Sequence, residues 1–548
     1  MGSAVRAVET RRAAVRRAIL VAVAVFVSGA VVLGMEIAAS RVLAPFFGNS
    51  LFVWGALIGV VLAGLALGYW AGGWLADRLP TPSLLAGVMS LGSLFVLAIP
   101  ALDEPVLEAI VEWDPGPRLN PLFAAIALFG PASFVLAGVA PIAVRLRAQS
   151  LTTLGQTAGR LFAISTAGSI AGTFATAFWL IPEFGTDQLL GLAAAALFAA
   201  AAVVALSERL IVLTALAAAG IALASYTAVQ LAPQTGGTLS AAQATNWSPL
   251  YRRSGYDRRQ EPVDTGGLRL RYAEDTRYHR LTVADDDTTR YLRFDNSYQS
   301  GMVLERPFAT AFEYVDLFHL LKAYNPRARD VLFIGLGGGS SPKRLWRDFP
   351  DLRLQAVELD PVVVDVAYRF FELPRDERLK VAVDDGRRYL DRTDRRWDAI
   401  LIDAFFADAI PFHLFTSEFL ELARSRLNPG GVILTNTIGA IAGAESRLFR
   451  SVYRTYRSVF PTVLVHPTLL GGALDEQAVL NLILVATEGA APTKEFLGER
   501  WEQIRAEART APDLREQIAG RYDKAVSLAG VPTLTDQYAP TDALLLIE

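Results

Sequence analysis

The chain has 548 residues, of which 52% are hydrophobic and 20% charged, with a formal net charge of −3 and no cysteine. Its length, well beyond one ordinary domain, indicates at least two folding units. Without cysteine there can be no disulfide framework, thiolate zinc site, iron–sulfur cluster or cysteine nucleophile. The balanced charge provides no basic surface for nucleic acid, and four scattered His residues do not form a metal cluster. We expect no metal and no nucleic-acid partner.

Charge is concentrated in the second part of the chain. Residues 1–232 hold 12 Arg, no Lys and 11 acidic residues, whereas the remaining 316 residues hold 84 charged ones. The first part also contains seven apolar runs of about 20 residues, the length at which a helix crosses the hydrocarbon of a bilayer. These runs are residues 18–39, 51–75, 83–101, 122–144, 161–181, 188–206 and 210–231. We therefore expect residues 1–232 to form an all-α, multi-pass membrane domain of about seven helices.

The placement of arginine bears on the orientation of this domain. With the N-terminal tail inside, the loops on that side carry five Arg against two on the other side, as membrane proteins prefer. Seven crossings would then place the second part of the chain outside. Yet six Arg between residues 252 and 271 follow the last run, a pattern typical of a segment that stays inside. Either one run fails to cross or the second part is external.

Glu36 is the ionisable residue deepest in an apolar run. Such a residue is costly in lipid unless it is paired or faces a polar cavity. One interpretation makes it a cation site, and the other a helix-end carboxylate paired with Arg41, with the helix ending near Arg41. The second interpretation is favoured.

The second part of the chain alternates strand and helix signals after a linker at residues 233–267. Residues 268–320 alternate polar and apolar side chains around an Asp-rich turn at 285–287, which predicts a small region of antiparallel strands. Within residues 321–490, buried strands at 331–334, "RLQAVELD", "LKVAVDD" and "WDAILID" are spaced by helices. This spacing predicts an α/β Rossmann-like domain with a parallel sheet. Residues 491–548 are expected to form a helical extension or cap.

Polar and glycine residues follow the ends of these strands. The first strand leads into the loop Gly335, Gly337 and Gly339, the second ends at Glu358, the third at Asp385 and the fourth at Asp403. Ligands of parallel sheets bind beyond the carboxyl ends of the strands. Glycines allow a ligand to approach the backbone, and a carboxylate after the second strand can accept both ribose hydroxyls. The set indicates an adenosine-containing ligand; a dinucleotide stays open, whereas the loop lacks the Gly-Lys-Ser/Thr ending of a P-loop.

These residues resemble the spermidine synthase (polyamine aminopropyltransferase) family, and more closely its membrane-fused bacterial branch, the fused transporter-like/spermidine synthase proteins. The resemblance covers most of residues 270–490, and "SGAVVLGMEIAASRVLAPFFG" and "LAGLALGYWAGGWLADR" look like the membrane half of that branch. It implies an S-adenosylmethionine-type transferase of the alkyltransferase class, with decarboxylated S-adenosylmethionine or S-adenosylmethionine as donor and a small-molecule amine as acceptor.

The resemblance also implies roles for individual residues. "FDNSYQS" makes Gln299 a nucleoside contact, "ELDP" gives Glu358 the ribose role, and "DDGRRYL" gives Asp385, with Gly386, the adenine-amine role. "LIDAF" puts the catalytic base on Asp403. For the acceptor side, "EDTRYH" and "EYVDLFHLL" resemble the family's segments, and the residues placed there are Tyr278, His279, Tyr314 and Asp316.

The chain departs from the family pattern at several of these positions. Gly338 stands where the family carries an acid that holds the free amine of the decarboxylated donor. Phe406 stands at the second catalytic acid, and Asp408, two residues on, is predicted to take its place. Leu469 lies about where a substrate tyrosine is expected. The C-terminal "LTDQYAPTDAL", with Asp536 and Tyr538, either folds over the site or caps the sheet, and the cap is preferred.

We therefore predict a membrane-anchored transferase that moves an aminopropyl group to an amine, with Asp403 as base and with Tyr314 and Asp408 orienting the nitrogen. One alternative is methyl or aminocarboxypropyl transfer from intact S-adenosylmethionine. The other is a transporter whose second domain only senses a nucleoside. We expect the protein to lie in the inner or plasma membrane. The supply of donor favours a cytoplasmic catalytic domain. A homodimer is an option that the sequence leaves open.

Overall fold

The computed structural model describes residues 2–47, 51–116, 118–148, 150–230, 268–295, 297–405, 410–469, 474–508, 510–541 and 544. Its contacts divide the chain into two compact units. The first, a helical unit, comprises residues 1–234 together with residues 274–280. The second, a sheet unit, comprises residues 235–273 and 281–548. Each unit has its own core and is considered separately.

The helical unit is built from apolar helices that follow the seven runs of the sequence. Its helices are α1 (Gly2–Phe47), α2 (Leu51–Arg78), α3 (Pro82–Trp113), α4 (Asn120–Leu128), α5 (Gly130–Ala137), α6 (Val139–Arg147), α7 (Leu154–Ala175), α8 (Ile181–Phe184), α9 (Thr186–Ser207) and α10 (Ile211–Gln230). A π-helical turn, Thr176–Leu180, continues α7. Within the described residues, α1, α2, α3, α7 with this turn, and α9 are each long and apolar enough to cross a membrane.

The fourth and seventh runs differ from the other five. The fourth is broken into α4 and the pair α5–α6, with a bend of 46°. Pro121, Pro131 and Pro141 lie in this stretch, and each proline lacks the N–H that a continuous helix would use. The seventh run contributes a shorter apolar helix. Among the residues that the structure describes, the seven apolar runs are therefore helical, and five of them, or six with the bent pair counted as one, have the length of a span.

Small residues let helices α1 and α7 approach closely. A Cβ added at Gly168 would overlap the carbonyl oxygen of Phe26, and one added at Gly172 would overlap that of Ala30. Small residues serve this purpose where helices pack in an apolar surrounding. Helix α1 continues past Arg41 to Phe47, so the expected end near Arg41 is wrong; the side chains of Val42, Leu43 and Phe46 are buried and extend the helix by packing.

The sheet unit begins with a four-stranded antiparallel sheet. Its strands are β1 (Arg269–Asp275), β2 (Arg280–Asp285), β3 (Thr289–Phe294) and β4 (Ser297–Val303), in that order. Strands β2 and β3 pair around the Asp-rich turn, where the Asp286 carboxylate accepts the N–H of both Thr288 and Thr289 at 2.7 Å. The expected antiparallel region is therefore present.

A seven-stranded mixed sheet follows. Its strands are β5 (Asp330–Ile334), β6 (Arg353–Glu358), β7 (Leu379–Val383), β8 (Trp397–Ile402), β9 (Leu427–Gly439), β10 (Thr462–Pro467) and β11 (Leu480–Thr487). They lie in the order β7-β6-β5-β8-β9-β11-β10. Strands β7, β6, β5, β8 and β9 pair in parallel with their neighbours in this order, whereas β11 runs antiparallel to both β9 and β10. The four strands expected from the sequence are β5 to β8, and the sheet is Rossmann-like.

Helices cover both faces of this sheet. They are α11 (Tyr314–Leu317), α12 (Leu320–Tyr324), α13 (Ser340–Asp348), α14 (Pro361–Phe370), α15 (Gly386–Arg392), α16 (Ser417–Ser425), α17 (Arg447–Val459), α18 (Lys494–Glu507) and α19 (Arg515–Ala519). Two clusters of buried apolar side chains, one containing Trp397 and Tyr456 and the other Phe333 and Trp501, form the core. Burial on both faces explains the continuous apolar runs of the central strands, and it leaves the carboxyl ends of β5 to β8 as the place for polar side chains.

Candidate active site

Asp403 lies at the carboxyl end of β8, the central strand of the seven-stranded mixed sheet. Its Oδ2 accepts a hydrogen bond from the Tyr314 hydroxyl at 3.3 Å, and its Oδ1 accepts one from the Asn436 amide at 3.0 Å. Burial raises the pKa of Asp403 to about 6, although both hydrogen bonds favour the charged carboxylate and act in the opposite direction. A carboxylate with such a pKa can take a proton near neutral pH.

Asn436 is a site residue that the sequence analysis missed. It lies on β9, next to β8, and its Oδ1 accepts a hydrogen bond from the Asn481 amide on β11 at 3.1 Å. This bond orients the Asn436 amide so that its N–H groups point at Asp403. Asn436 and Asn481 are buried, at 1% and 6% exposure. An amide within an otherwise apolar strand is the feature of the sequence that could have pointed to each of them.

The glycine loop after β5 brings the backbone against Asp403. Gly335 has φ +93°, and a Cβ added there would overlap the carbonyl oxygen of Asp403. Gly337 and Gly339 also have positive φ values, of +53° and +73°. Only glycine takes up such conformations without strain. The loop therefore presents open backbone in front of the sheet, where a ligand can approach it.

Glu358 holds the loop from the end of β6. Its Oε2 accepts the N–H of Leu336 at 3.0 Å, and its Oε1 accepts the N–H of Asp360 at 3.1 Å. Burial raises the pKa of Glu358, which these backbone donors partly offset. Gln299, Tyr314, Gly335 and Asp403 line one small pocket. Four predicted site residues from separate parts of the chain thus meet at one place.

Asp385 caps helix α15 at the end of β7. Its Oδ1 accepts the N–H of Arg388 at 2.8 Å, and its Oδ2 lies 3.0 Å from Nε2 of His413. The hydrogen bond from His413 lowers the pKa of Asp385, so the carboxylate stays charged. Gly386 packs tightly against Ile334 of β5, where an added Cβ would overlap the side chain. Asp385 is therefore close in the sheet to the glycine loop, with His413 as a partner that the sequence did not indicate.

Other predicted residues have different surroundings. Asp316 is ion-paired with Arg344 of α13. Tyr278 and His279 lie between β1 and β2, in residues 274–280, which group with the helical unit. Asp408 and Phe406 lie outside the described residues. Among the residues that the structure describes, no group of three or more His, Cys, Asp or Glu side chains is placed to hold a metal ion.

Comparison with known proteins identifies the family of the chain. The profile of the family "Spermine/spermidine synthase domain" matches residues 312–474. A polyamine aminopropyltransferase of Vibrio vulnificus (strain CMCP6) is 38% identical over 238 residues, which cover 42% of this chain and 75% of the relative. The chain belongs to the polyamine aminopropyltransferase family. It is accordingly an aminopropyltransferase-like transferase.

The chain is also similar to a methyltransferase and to a solved spermidine synthase. An N-terminal histidine N-methyltransferase of Emericella nidulans is 27% identical over 265 residues, 43% of this chain and 46% of that protein. The chain thus spans less than half the length of this relative. The crystal structure of spermidine synthase from Thermotoga maritima has a TM-score of 0.39 and 20% identity, and it covers 46% of this chain and 84% of the solved chain.

Gly338 is the position at which this aminopropyltransferase-like chain lacks the expected acid. A Cβ added at Gly338 would lie 2.9 Å from a ring carbon of Phe371 and 3.0 Å from Cβ of Ser300. The Ser300 hydroxyl also accepts the Gly338 N–H at 2.9 Å. Phe371 and Ser300 therefore occupy the space beside this loop residue, and a longer side chain would displace them.

Proposed function

We propose that the sheet unit transfers an aminopropyl group from an adenosyl sulfonium donor, decarboxylated S-adenosylmethionine, to an amine acceptor. The observation that carries this proposal is the half-buried carboxylate of Asp403, held by Tyr314 and Asn436 beside the glycine loop. The pKa of about 6 makes this group a base at neutral pH. Membership of the aminopropyltransferase family supports the same chemistry.

The reaction needs little activation of the leaving group, since the sulfur is already positive. The amine nitrogen attacks the carbon next to sulfur; the new C–N bond forms as the C–S bond breaks, and its electron pair neutralises the sulfonium. The nitrogen must be uncharged to attack, so a proton passes from the amine to the Asp403 carboxylate. Alignment of nitrogen, carbon and sulfur is the other requirement. The Tyr314 hydroxyl, 3.3 Å from Oδ2 of Asp403, would orient the nitrogen.

The donor nucleoside is assigned to the carboxyl ends of β5, β6 and β7. Glu358 would accept the ribose hydroxyls, Asp385 with Gly386 the adenine amine, and Gln299 a further nucleoside contact. The loop residues Gly335, Gly337 and Gly339 would pass beneath the sulfonium. Their positive φ values and tight contacts support this assignment, because an added Cβ at any of the three would overlap neighbouring atoms of the sheet unit.

Within the sheet unit, the acceptor side is assigned to Tyr314, Asp316 and Asp408. Tyr314 is supported by its contact with Asp403. For Asp316 the ion pair with Arg344 competes with a substrate ammonium, so it would bind an amine only weakly unless Arg344 moves. Asp408 enters this proposal because it lies two residues after Phe406, which stands at the family's second catalytic acid.

Asn436 is expected to set the pH dependence of the reaction. Because the working base is ionised, kcat/KM should fall as the pH drops through about 6, the pKa of Asp403. Asn436→Leu removes a hydrogen bond to the charged carboxylate, so the pKa should rise and the acid limb should move up by about 1 pH unit. Asn481→Leu removes a contact to Asn436 and not to Asp403 itself, so it should move the acid limb less. A profile that stays at the wild-type position in Asn436→Leu would contradict this role.

A second candidate is transfer of a methyl or aminocarboxypropyl group from intact S-adenosylmethionine. The glycine at position 338 favours it, because no acid stands there to hold a free amine or to repel a carboxylate. The purified protein should be incubated with each donor and a panel of amines. Methylthioadenosine as product with the decarboxylated donor supports aminopropyl transfer. S-adenosylhomocysteine as product indicates methyl transfer, and product from neither donor would refute both.

We infer that the helical unit is embedded in the inner or plasma membrane. Large apolar side chains are exposed on its helices, among them Trp70 at 74% and Trp179 at 66%. Such surfaces are unfavourable in water and favourable in lipid.

Six crossings, with the bent pair as one and α10 as the run that does not cross, would reconcile both arginine patterns and place the catalytic unit inside. In sealed inside-out vesicles, added protease should then cleave the sheet unit; protection would overturn this orientation.

A further inference from the structure

A segment near the C-terminus, residues 527–540, is fastened to the sheet unit along its length; we call it the C-terminal strap. At its start, Arg450 of α17 donates to the carbonyl oxygens of Ser527 and Ala529. In the middle, the Leu534 N–H donates to the Thr455 hydroxyl at 2.9 Å, and the Leu534 side chain is fully buried. These contacts hold the strap against helix α17.

The far end of the strap contacts the helix that follows Asp385. The Asp536 carboxylate binds both terminal nitrogens of Arg387 at 2.6 Å, and its Oδ1 also accepts the Thr416 hydroxyl at 2.7 Å. Arg387 lowers the pKa of Asp536, which therefore stays charged. A two-point arginine–carboxylate contact fixes direction as well as distance. Arg387 is the second residue of α15, two positions after Asp385.

Arg387 in turn reaches His413. Its Nη1 donates to the backbone oxygen of His413 at 3.2 Å, and Nε2 of His413 lies 3.0 Å from Oδ2 of Asp385. The contacts thus run from Asp536 through Arg387 and His413 to the Asp385 carboxylate. The side chains of His413 and Asp385 retain 31% and 29% of their exposure, so a ligand can reach both of them.

We propose that the strap completes the nucleobase end of the donor site, with His413 beside Asp385 at the base and with Asp536 and Arg387 as positioning residues. This inference rests on the proposed function, because it takes Asp385 as the contact to the adenine amine. A partly exposed carboxylate on a helix cap can rotate. Partners that fix its direction strengthen the hydrogen bond that it accepts from a ligand. Asp536 acts through Arg387 and does not touch the nucleoside itself.

The test measures the Kd of methylthioadenosine by calorimetry on the full chain, together with the melting temperature. Asp536→Ala should weaken binding by about ten-fold, the effect of losing one ordering contact. The matched control is Arg450→Ala, which loosens the same strap at its other end and should leave the Kd within about two-fold. In kinetics, Asp536→Ala should raise the KM for the donor and leave kcat nearly unchanged.

Conservative and compensating variants separate positioning from folding. Asp536→Asn keeps the shape and one hydrogen bond and should lose less affinity than Asp536→Ala. The pair Arg387→Asp with Asp536→Arg should recover part of the affinity that Arg387→Asp alone loses. Equal losses in Asp536→Ala and Arg450→Ala, or a lower melting temperature with unchanged Kd, would mean that the strap only stabilises the fold. A wild-type protein that binds no adenosyl compound would instead refute the proposed function, and this inference with it.

Discussion

Replacing Asp403 by Asn is expected to lower kcat by about 10²- to 10⁴-fold, the range that general bases contribute. The amide is close in size to the carboxylate and can keep hydrogen bonds to Tyr314 and Asn436, but it cannot take a proton from the amine. Binding of methylthioadenosine should therefore persist within a few-fold. Single-turnover kinetics with labelled donor, combined with calorimetry, measures both quantities on the same preparation.

The chain offers a matched control on the same strand. Asp398 lies near the amino end of β8, opposite the end that Asp403 follows. Its carboxylate accepts the N–H groups of Arg329 and Asp330 at 2.8 and 3.0 Å. Asp398→Asn should lower stability by about 1–3 kcal/mol and leave kcat unchanged, because it alters only structural hydrogen bonds. A transporter with a sensing domain makes the opposite prediction for Asp403→Asn: no product in wild type or variant, with nucleoside binding and membrane flux intact.

Gly335→Ala should have the second-largest effect, a loss of about 100-fold in kcat/KM. The added Cβ would overlap the carbonyl oxygen of Asp403, so either the loop or the end of β8 must shift. Displacement of a catalytic group by about 1 Å can cost this much. The positive φ of +93° adds backbone strain of about 1–3 kcal/mol, which a thermal melt should detect.

Gly430→Ala separates strain from displacement. Gly430 has a comparable φ of +78°, and an added Cβ there meets nothing within 4 Å. It should lower stability by a similar strain energy, about 1 kcal/mol, and leave the kinetic constants as they are. Equal kinetic losses in both variants would show that the contact between Gly335 and Asp403 has no special importance for the reaction.

Much of the sheet unit could be predicted because its signals are local. Apolar strands of the expected length, each followed by glycine or a carboxylate, placed Gly335, Glu358, Asp385 and Asp403 at strand ends in the sequence and at the carboxyl edge of β5 to β8 in the structure. The parallel sheet follows from strands separated by helices. The apolar runs likewise predicted the helices of the first unit.

Contacts between distant segments could not be predicted in this way. Asn436 meets Asp403 only because β9 lies beside β8, and Asn481 meets Asn436 only because β11 inserts next to β9. Likewise, the pairing of Arg387 with Asp536 joins residues 149 apart in the chain. The ion pair of Asp316 with Arg344 depends on α11 packing near α13. Periodicity carries no information about such partners.

The crowding around Gly338 has a consequence for how this protein can diverge. An acidic side chain at this loop position needs room that the aromatic ring of Phe371 and Cβ of Ser300 now fill. Phe371 is fully buried, so the ring cannot swing out into solvent. In directed evolution toward tighter binding of decarboxylated S-adenosylmethionine, a smaller residue at position 371 should be selected first, and an aspartate at 338 should appear only in that background. The order of mutational steps is thereby constrained by the volume of one ring.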